Sequence, residues 1–153
     1  MNCSVRKFAE HIEVLKACAQ KSDLTHKHGA CLLKGTHMLS FGINRYIKEI
    51  FFRRESVKFS IHAEIDALFN ADNKFVKGMD ILIIRIGKSH SLRNSRPCNS
   101  CIDKLKQKGI RKAYYSNERG EIVYEFIDSM EKVHTCSGDM IRRKISYTCK
   151  TIW

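Results

Sequence analysis

The run Met79-Asp80-Ile81-Leu82-Ile83-Ile84-Arg85-Ile86 puts apolar side chains on both faces of any strand it forms. Successive side chains of a strand point to opposite sides, so a run of this kind is stable only where both faces are covered. The segments around it therefore have to supply a layer above and a layer below. At 153 residues, 43% hydrophobic and 29% charged, with 8 Gly and 1 Pro, the chain has the size and composition of one globular domain with a proper core. The expected domain spans residues 1–153, with a core over about 5–126 and a C-terminal extension over 127–153.

The flanking segments supply those layers. Val5, Phe8, Ile12, Leu15 and Ala19 recur at three and four residues, which predicts an amphipathic first helix. Ala30 to Lys34 and His37 to Ile43 read as two strands joined across Gly35 and Thr36 as a hairpin. Arg45 to Lys58 is basic, aromatic and without a clean period, so it reads as a loop. Ile61 to Asn70 is apolar on nearly every side, as suits a short buried helix. After the Met79 to Ile86 strand and a polar loop, Pro97 opens a helix through Lys108, because the first turn has no use for the N–H it lacks. Ile110 to Ser116 and Glu121 to Phe126 are strands separated by Asn117 to Gly120. A connection that short cannot make a parallel crossover, so these last two strands should be antiparallel neighbours. The tail beyond Asp128 has room for one short helix and a basic, cysteine-containing end. The order predicts an α/β fold, a three-layer α/β/α sandwich on a mixed five-stranded sheet.

The formal charge is +12, and nine basic residues against the single acid Asp103 lie between Arg85 and Lys112. Such an excess favours anionic partners, although a charge run also suits a plain solvated face. Seven cysteines, an odd number, argue against a disulfide framework. Cys18 and Cys31 read as small core residues, and Cys3, Cys136 and Cys149 have no metal-ligand spacing. No apolar run approaches the roughly 20 residues of a membrane span, and Arg6, Lys7 and Glu10 interrupt any signal-peptide core. The expectation is a cytoplasmic protein, forming homo-oligomers and avoiding the membrane.

Chemistry concentrates in two motifs. His-x-Glu occurs at His11-Ile12-Glu13, on the solvent side of an amphipathic helix, and again at His62-Ala63-Glu64, where the buried helix begins. Pro97-Cys98-Asn99-Ser100-Cys101 uses the chain's single proline and opens the other helix of the same sheet. Two cysteines three apart on a first helical turn point to one side, and the helix N-terminus favours the thiolates that zinc binds. With His62 they make three protein ligands and leave a fourth tetrahedral position open, the arrangement of catalytic zinc. A closed structural site would need a fourth ligand such as His28 or Cys31, and neither has the local spacing for it. Glu64 turns away from the metal toward the neighbouring pocket, where a carboxylate serves as general acid and base.

These motifs resemble those of the zinc-dependent cytidine and deoxycytidylate deaminase superfamily, whose signature is His-Ala-Glu followed by Pro-Cys-x-x-Cys. The resemblance includes His28-Gly29-Ala30 and Gly42-Ile43-Asn44 and spans residues 5 to 126. It implies the cytidine-deaminase sheet, Zn2+ held by His62, Cys98 and Cys101, and proton transfer by Glu64. It also implies that Asn44 hydrogen-bonds the substrate sugar or base and that the backbone near Ala63 meets the base edge. Histidine as first ligand resembles deoxycytidylate, tRNA and polynucleotide deaminases, whereas the tight turn before the last strand resembles free-cytidine enzymes.

The substrate therefore stays open between three readings. One is hydrolytic deamination of cytosine in a cytidine or deoxycytidine nucleotide or nucleoside. The second is deamination of cytosine or adenine within single-stranded DNA or RNA, and the third a zinc-stabilised binding module without activity. The basic loops before His62 and Cys98 tilt the reading toward a phosphorylated substrate, with Arg93 and Arg96 as the expected phosphate contacts. Tyr46, Phe51, Phe52 and Phe59 interleave with the cations of the first of these loops, a pattern that can stack bases, although Phe51 and Phe59 read better as core anchors.

Overall fold

The computed structural model describes residues 5–52, 54–71 and 75–136. A short 3-10 turn, Val5–Phe8, leads into α1 (Ala9–Ala19). The antiparallel pair β1 (Lys27–Lys34) and β2 (His37–Ile43) follows, with Lys34 opposite His37 across the expected two-residue turn. Then come β3 (Arg45–Phe52), β4 (Glu55–Ile61) and α2 (Ala63–Asn70). The doubly covered run is β5 (Asp80–Ile86), followed by a two-residue β6 (Leu92–Arg93) and α3 (Asn99–Gln107). The last strands are β7 (Lys112–Ser116) and β8 (Ile122–Phe126), closed by a 3-10 turn, Ile127–Ser129.

The main sheet runs β2-β1-β5-β7-β8, with β6 added to β5 as a short sixth strand. It is mixed: β5 and β7 are parallel, joined by the crossover through α3, and β7 and β8 are antiparallel as their short connection requires. The alternation along β5 divides the core. Ile81 and Ile83 pack with Ala30, Leu32, Ala113 and the apolar residues of α2 and α3, while Leu82 and Ile84 pack with Cys31, Leu33 and the buried stripe Phe8, Ile12, Leu15 and Ala19. The three-layer α/β/α sandwich follows. Helix α2 lies so close on β2 that a Cβ on Gly42 would stand 2.2 Å from the backbone nitrogen of Ala67, a spacing only glycine allows.

Residues 45 to 58 depart from the expected loop. They form most of an antiparallel hairpin, β3 with β4, that is a separate two-stranded sheet. Val57, Phe59 and Ile61 alternate with Ser56, Lys58 and Ser60, and this period-two signal is the one that marks the strand. An irregularity between Tyr46 and Lys48 shifts the register of β3 and conceals its period, and Arg54 takes the left-handed φ of 66° that a turn usually gives to glycine or asparagine. Pro97 also sits differently: Cys98 is the N-cap of α3, so the proline precedes the helix instead of opening its first turn.

Cys18, Cys31, Cys98 and Cys101 are free thiols, and among the described residues no helix is long and apolar enough to cross a membrane. Cys31 is fully buried, as its apolar surroundings lead one to expect. Arg53, Cys3, Cys149 and the C-terminal extension from residue 137 onward lie outside the described residues.

Candidate active site

Two helix starts meet over the α2/α3 face of the sheet. His62 is the N-cap of α2 and Cys98 the N-cap of α3, both extended, with φ, ψ of −80°, 154° and −72°, 169°. Cys101, the third residue of α3, lies on the turn that the N-cap side chain overhangs, which is why a spacing of three brings the two sulfurs to one side. His62 Nδ1 stands 3.2 Å from Cys101 Sγ and 3.4 Å from Cys98 Sγ. The three ligand atoms lie within 4.8 Å of one another. Tetrahedral zinc with its usual bond lengths sets nitrogen-to-sulfur edges of about 3.5 Å, so this donor set fits the ion in number, softness and spacing. His11, from the other His-x-Glu copy, is elsewhere, with Nε2 bonded to the Thr36 carbonyl at 2.7 Å.

The electrostatics suit a cation. The Cys98 thiol is held down to about 3 by its hydrogen bond with Cys101, against the effect of burial and with help from His62 and Ser100. Cys101 moves the other way, pushed up by that same bond and by burial. The positive ends of two helix dipoles add to the stabilisation of thiolate here. Glu64 is buried beside the cluster and outside it. Burial pushes its carboxyl up, and the neighbouring His62 pulls it partly back. A buried carboxyl whose surroundings raise its proton affinity suits proton transfer.

Asn44, at the end of β2, accepts the His28 N–H on Oδ1 at 2.9 Å and donates through Nδ2 to the His26 carbonyl. Ala63 is buried at the first position of α2, against Gly42. The two arginines expected to share one task are divided. Arg93 is exposed on β6, whereas Arg96 donates to Glu125 at 2.9 Å and to the Glu131 carbonyl at 2.8 Å, fastening the Pro97 loop to the far strand. Ser95 fastens the same loop to β5 through the Ile83 carbonyl, at 2.8 Å.

One part of the site had no signal in the sequence. Residues 131–136 run as an extended strap over the start of α3: the Asn99 N–H donates to the His134 carbonyl at 2.7 Å and Asn99 Oδ1 accepts the His134 N–H at 3.0 Å. Cys136 comes close enough to add to the upward push on Cys101. Reciprocal backbone and side-chain pairing between residues 35 apart leaves no local pattern to read.

The chain resembles solved structures of the same fold. A cytidine deaminase from Burkholderia pseudomallei aligns with a TM-score of 0.59 at 18% identity, over 83% of this chain and 98% of that one. A dCMP deaminase from the cyanophage S-TIM5, in complex with dCMP and dUMP, aligns with a TM-score of 0.54 at 21% identity, over 77% of this chain and 85% of that one. No curated protein matches the chain in sequence. The family model for the cytidine and deoxycytidylate deaminase zinc-binding region matches residues 5–117, which include both helix starts and all three sulfur and nitrogen donors. The chain is thus a member of the zinc-dependent cytidine and deoxycytidylate deaminase family, and its enzymatic class is that of a nucleobase-deaminating hydrolase.

Proposed function

We propose that the chain deaminates the cytosine base of a cytidine or deoxycytidine nucleotide or nucleoside: water adds its oxygen at C4, the bond from C4 to the amino nitrogen breaks, and uracil and ammonia result. The observation that carries this reading is buried Glu64, two residues after His62 and beside the three-donor cluster without belonging to it. His62, Cys98 and Cys101 hold the metal. When bound, zinc supplies a Lewis acid that makes water a nucleophile at neutral pH. Glu64 takes one proton from the attacking water and gives it to the ring nitrogen N3, then takes the second, from the hydroxyl left on C4, and gives it to the departing amine. Asn44 and the backbone at Ala63 orient sugar and base. A buried carboxyl of this kind has no use in a module that only binds, which weighs against the non-catalytic reading.

A second reading, deamination within single-stranded DNA or RNA, draws on the β3–β4 hairpin. It ends one residue before His62, carries Lys58 Nζ 5.4 Å from the Tyr46 ring centroid, and leaves Phe51 78% exposed. Exposed aromatics among cations are a stacking surface for bases. Phe41 and Phe69, exposed on the edge strand β2 and on α2, support the expectation of a homo-oligomer. Ammonia release from cytidine, deoxycytidine, their monophosphates, single-stranded DNA and tRNA decides among these. Turnover of the free cytosine substrates supports the first reading, and turnover confined to polynucleotides, falling steeply with salt, replaces it with the second.

A further inference from the structure

Arg85 and Arg93 stand directly opposite each other on β5 and β6, and His28 stands opposite Arg85 on β1. Paired residues of adjacent strands project to the same face of a sheet. Position 85 shares its face with Ile81 and Ile83, the face covered by α2 and α3. A row in which two arginines face each other beside His28 therefore crosses the sheet on the side of the zinc cluster. Like charges directly opposite one another destabilise a ladder. Among the described residues, no carboxylate pairs with either arginine to relieve this; the ion pairs formed there use Lys16, Arg45, Arg96, Arg111 and Lys132.

The arrangement leaves a buried donor unmatched. One Arg85 terminal nitrogen, Nη2, bonds His26 Nδ1, while its Nε is buried with no acceptor among the described residues. A buried donor left in this state costs free energy that an arriving anion would restore. Arg93 folds back over Gly87, where a Cβ would lie 2.7 Å from its Nε, so glycine at 87 lets this guanidinium lie over the end of β5 near Arg85. Asn44 ties His26 to His28 within the row, because its side chain bridges the His26 carbonyl and the His28 N–H.

We propose that Arg85 and Arg93, with His26 orienting Arg85, form the cradle for the 5′-phosphate of a cytosine mononucleotide whose base enters the zinc site. This rests on the deamination reading above and narrows its substrate to a nucleoside monophosphate. Two guanidiniums match a phosphate monoester in charge and in paired donors. A polynucleotide calls for cations spaced along a backbone track, whereas this cluster is compact. A neutral nucleoside would leave the arginines opposed.

The test compares zinc-loaded wild type with Arg85→Gln, Arg93→Gln and a charge-matched control, Lys106→Ala, on the exposed side of α3. Calorimetric binding of dUMP and of deoxyuridine is measured, together with KM for dCMP and deoxycytidine. Loss of one charged hydrogen-bonding group should weaken dUMP about tenfold or more relative to deoxyuridine, and raise the dCMP-to-deoxycytidine KM ratio to match, with Lys106→Ala staying near wild type. Arg93→Gln lies on the surface and keeps the test open if Arg85→Gln folds poorly. Unchanged ratios in an Arg93→Gln or Arg85→Gln protein that binds zinc and turns over substrate would overturn the cradle and leave deamination standing. A loss seen with cytosine-containing oligonucleotides and absent with dUMP would also overturn it. Absence of any cytosine turnover in the wild type would instead strike the deamination reading, while the dUMP-to-deoxyuridine comparison still decides the phosphate site.

Discussion

Asp66 accepts hydrogen bonds from Arg45 Nη2 at 2.9 Å and from the Ile43 N–H at 3.0 Å. One buried carboxylate on the first turn of α2 thereby clamps the end of β2 and the root of the β3–β4 hairpin to the helix that His62 caps. Asp66→Ala removes these bonds, with a further one from Arg45 Nε at 3.2 Å, and strands the Ile43 N–H, for a loss of about 1–3 kcal/mol in urea unfolding, kept toward the lower end because Arg45 is 48% exposed. Asp66→Asn retains an acceptor for Ile43 and should cost less. Equal stability of Asp66→Ala and wild type would remove the clamp from this account.

Glu64→Gln keeps the shape of the side chain and abolishes its capacity to take a proton. Zinc content and unfolding midpoint should stay near wild type while kcat falls by ~10² to 10⁴, the range for general acid and base residues. Steady-state ammonia release checks it, and a rate equal to wild type would assign proton transfer elsewhere.

Cys98→Ala removes one of the three donors that cluster among the described residues. The purified variant should hold far less than one zinc per chain by metal analysis, and its Tm should fall, because the metal binds only the folded arrangement. Chelation of the wild type should lower Tm in the same direction. Full zinc content in Cys98→Ala would reject the ligand set.

His28 makes stability depend on pH. Burial, joined by the charges of Arg85 and His62 and opposed by a backbone hydrogen bond, lowers its pKa from 6.5 to about 4. Between these values the unfolded chain binds a proton that the folded chain refuses, so this contribution is complete above pH 6.5 and is lost as pH falls toward 4. The shift corresponds to roughly 3 kcal/mol. Urea unfolding at pH 7 and pH 4.5 should show a smaller difference for His28→Gln than for wild type. Parallel losses in both proteins would place the acid sensitivity in other groups.

What could be read along the chain was whatever depends on neighbours in sequence. The period-free apolar run of β5, the apolar stripe of α1, and the polarity breaks at His62 and Cys98 specify element type through side-chain spacing, and the same spacing carries two cysteines to one side of a helix start. The three-layer order followed, because a strand apolar on both faces must be covered twice. Other features depend on which strand lies beside which. Tertiary pairing turned residues 45–61 into a hairpin across a register shift that hides its period, tied Arg96 to Glu125 from 29 positions away, and strapped residues 131–136 over α3. It also set Arg85 directly against Arg93. Charge counting locates a basic segment, but only the ladder register decides which of its cations are neutralised and which are left facing each other, because Coulomb energy depends on distance through space and not along the chain.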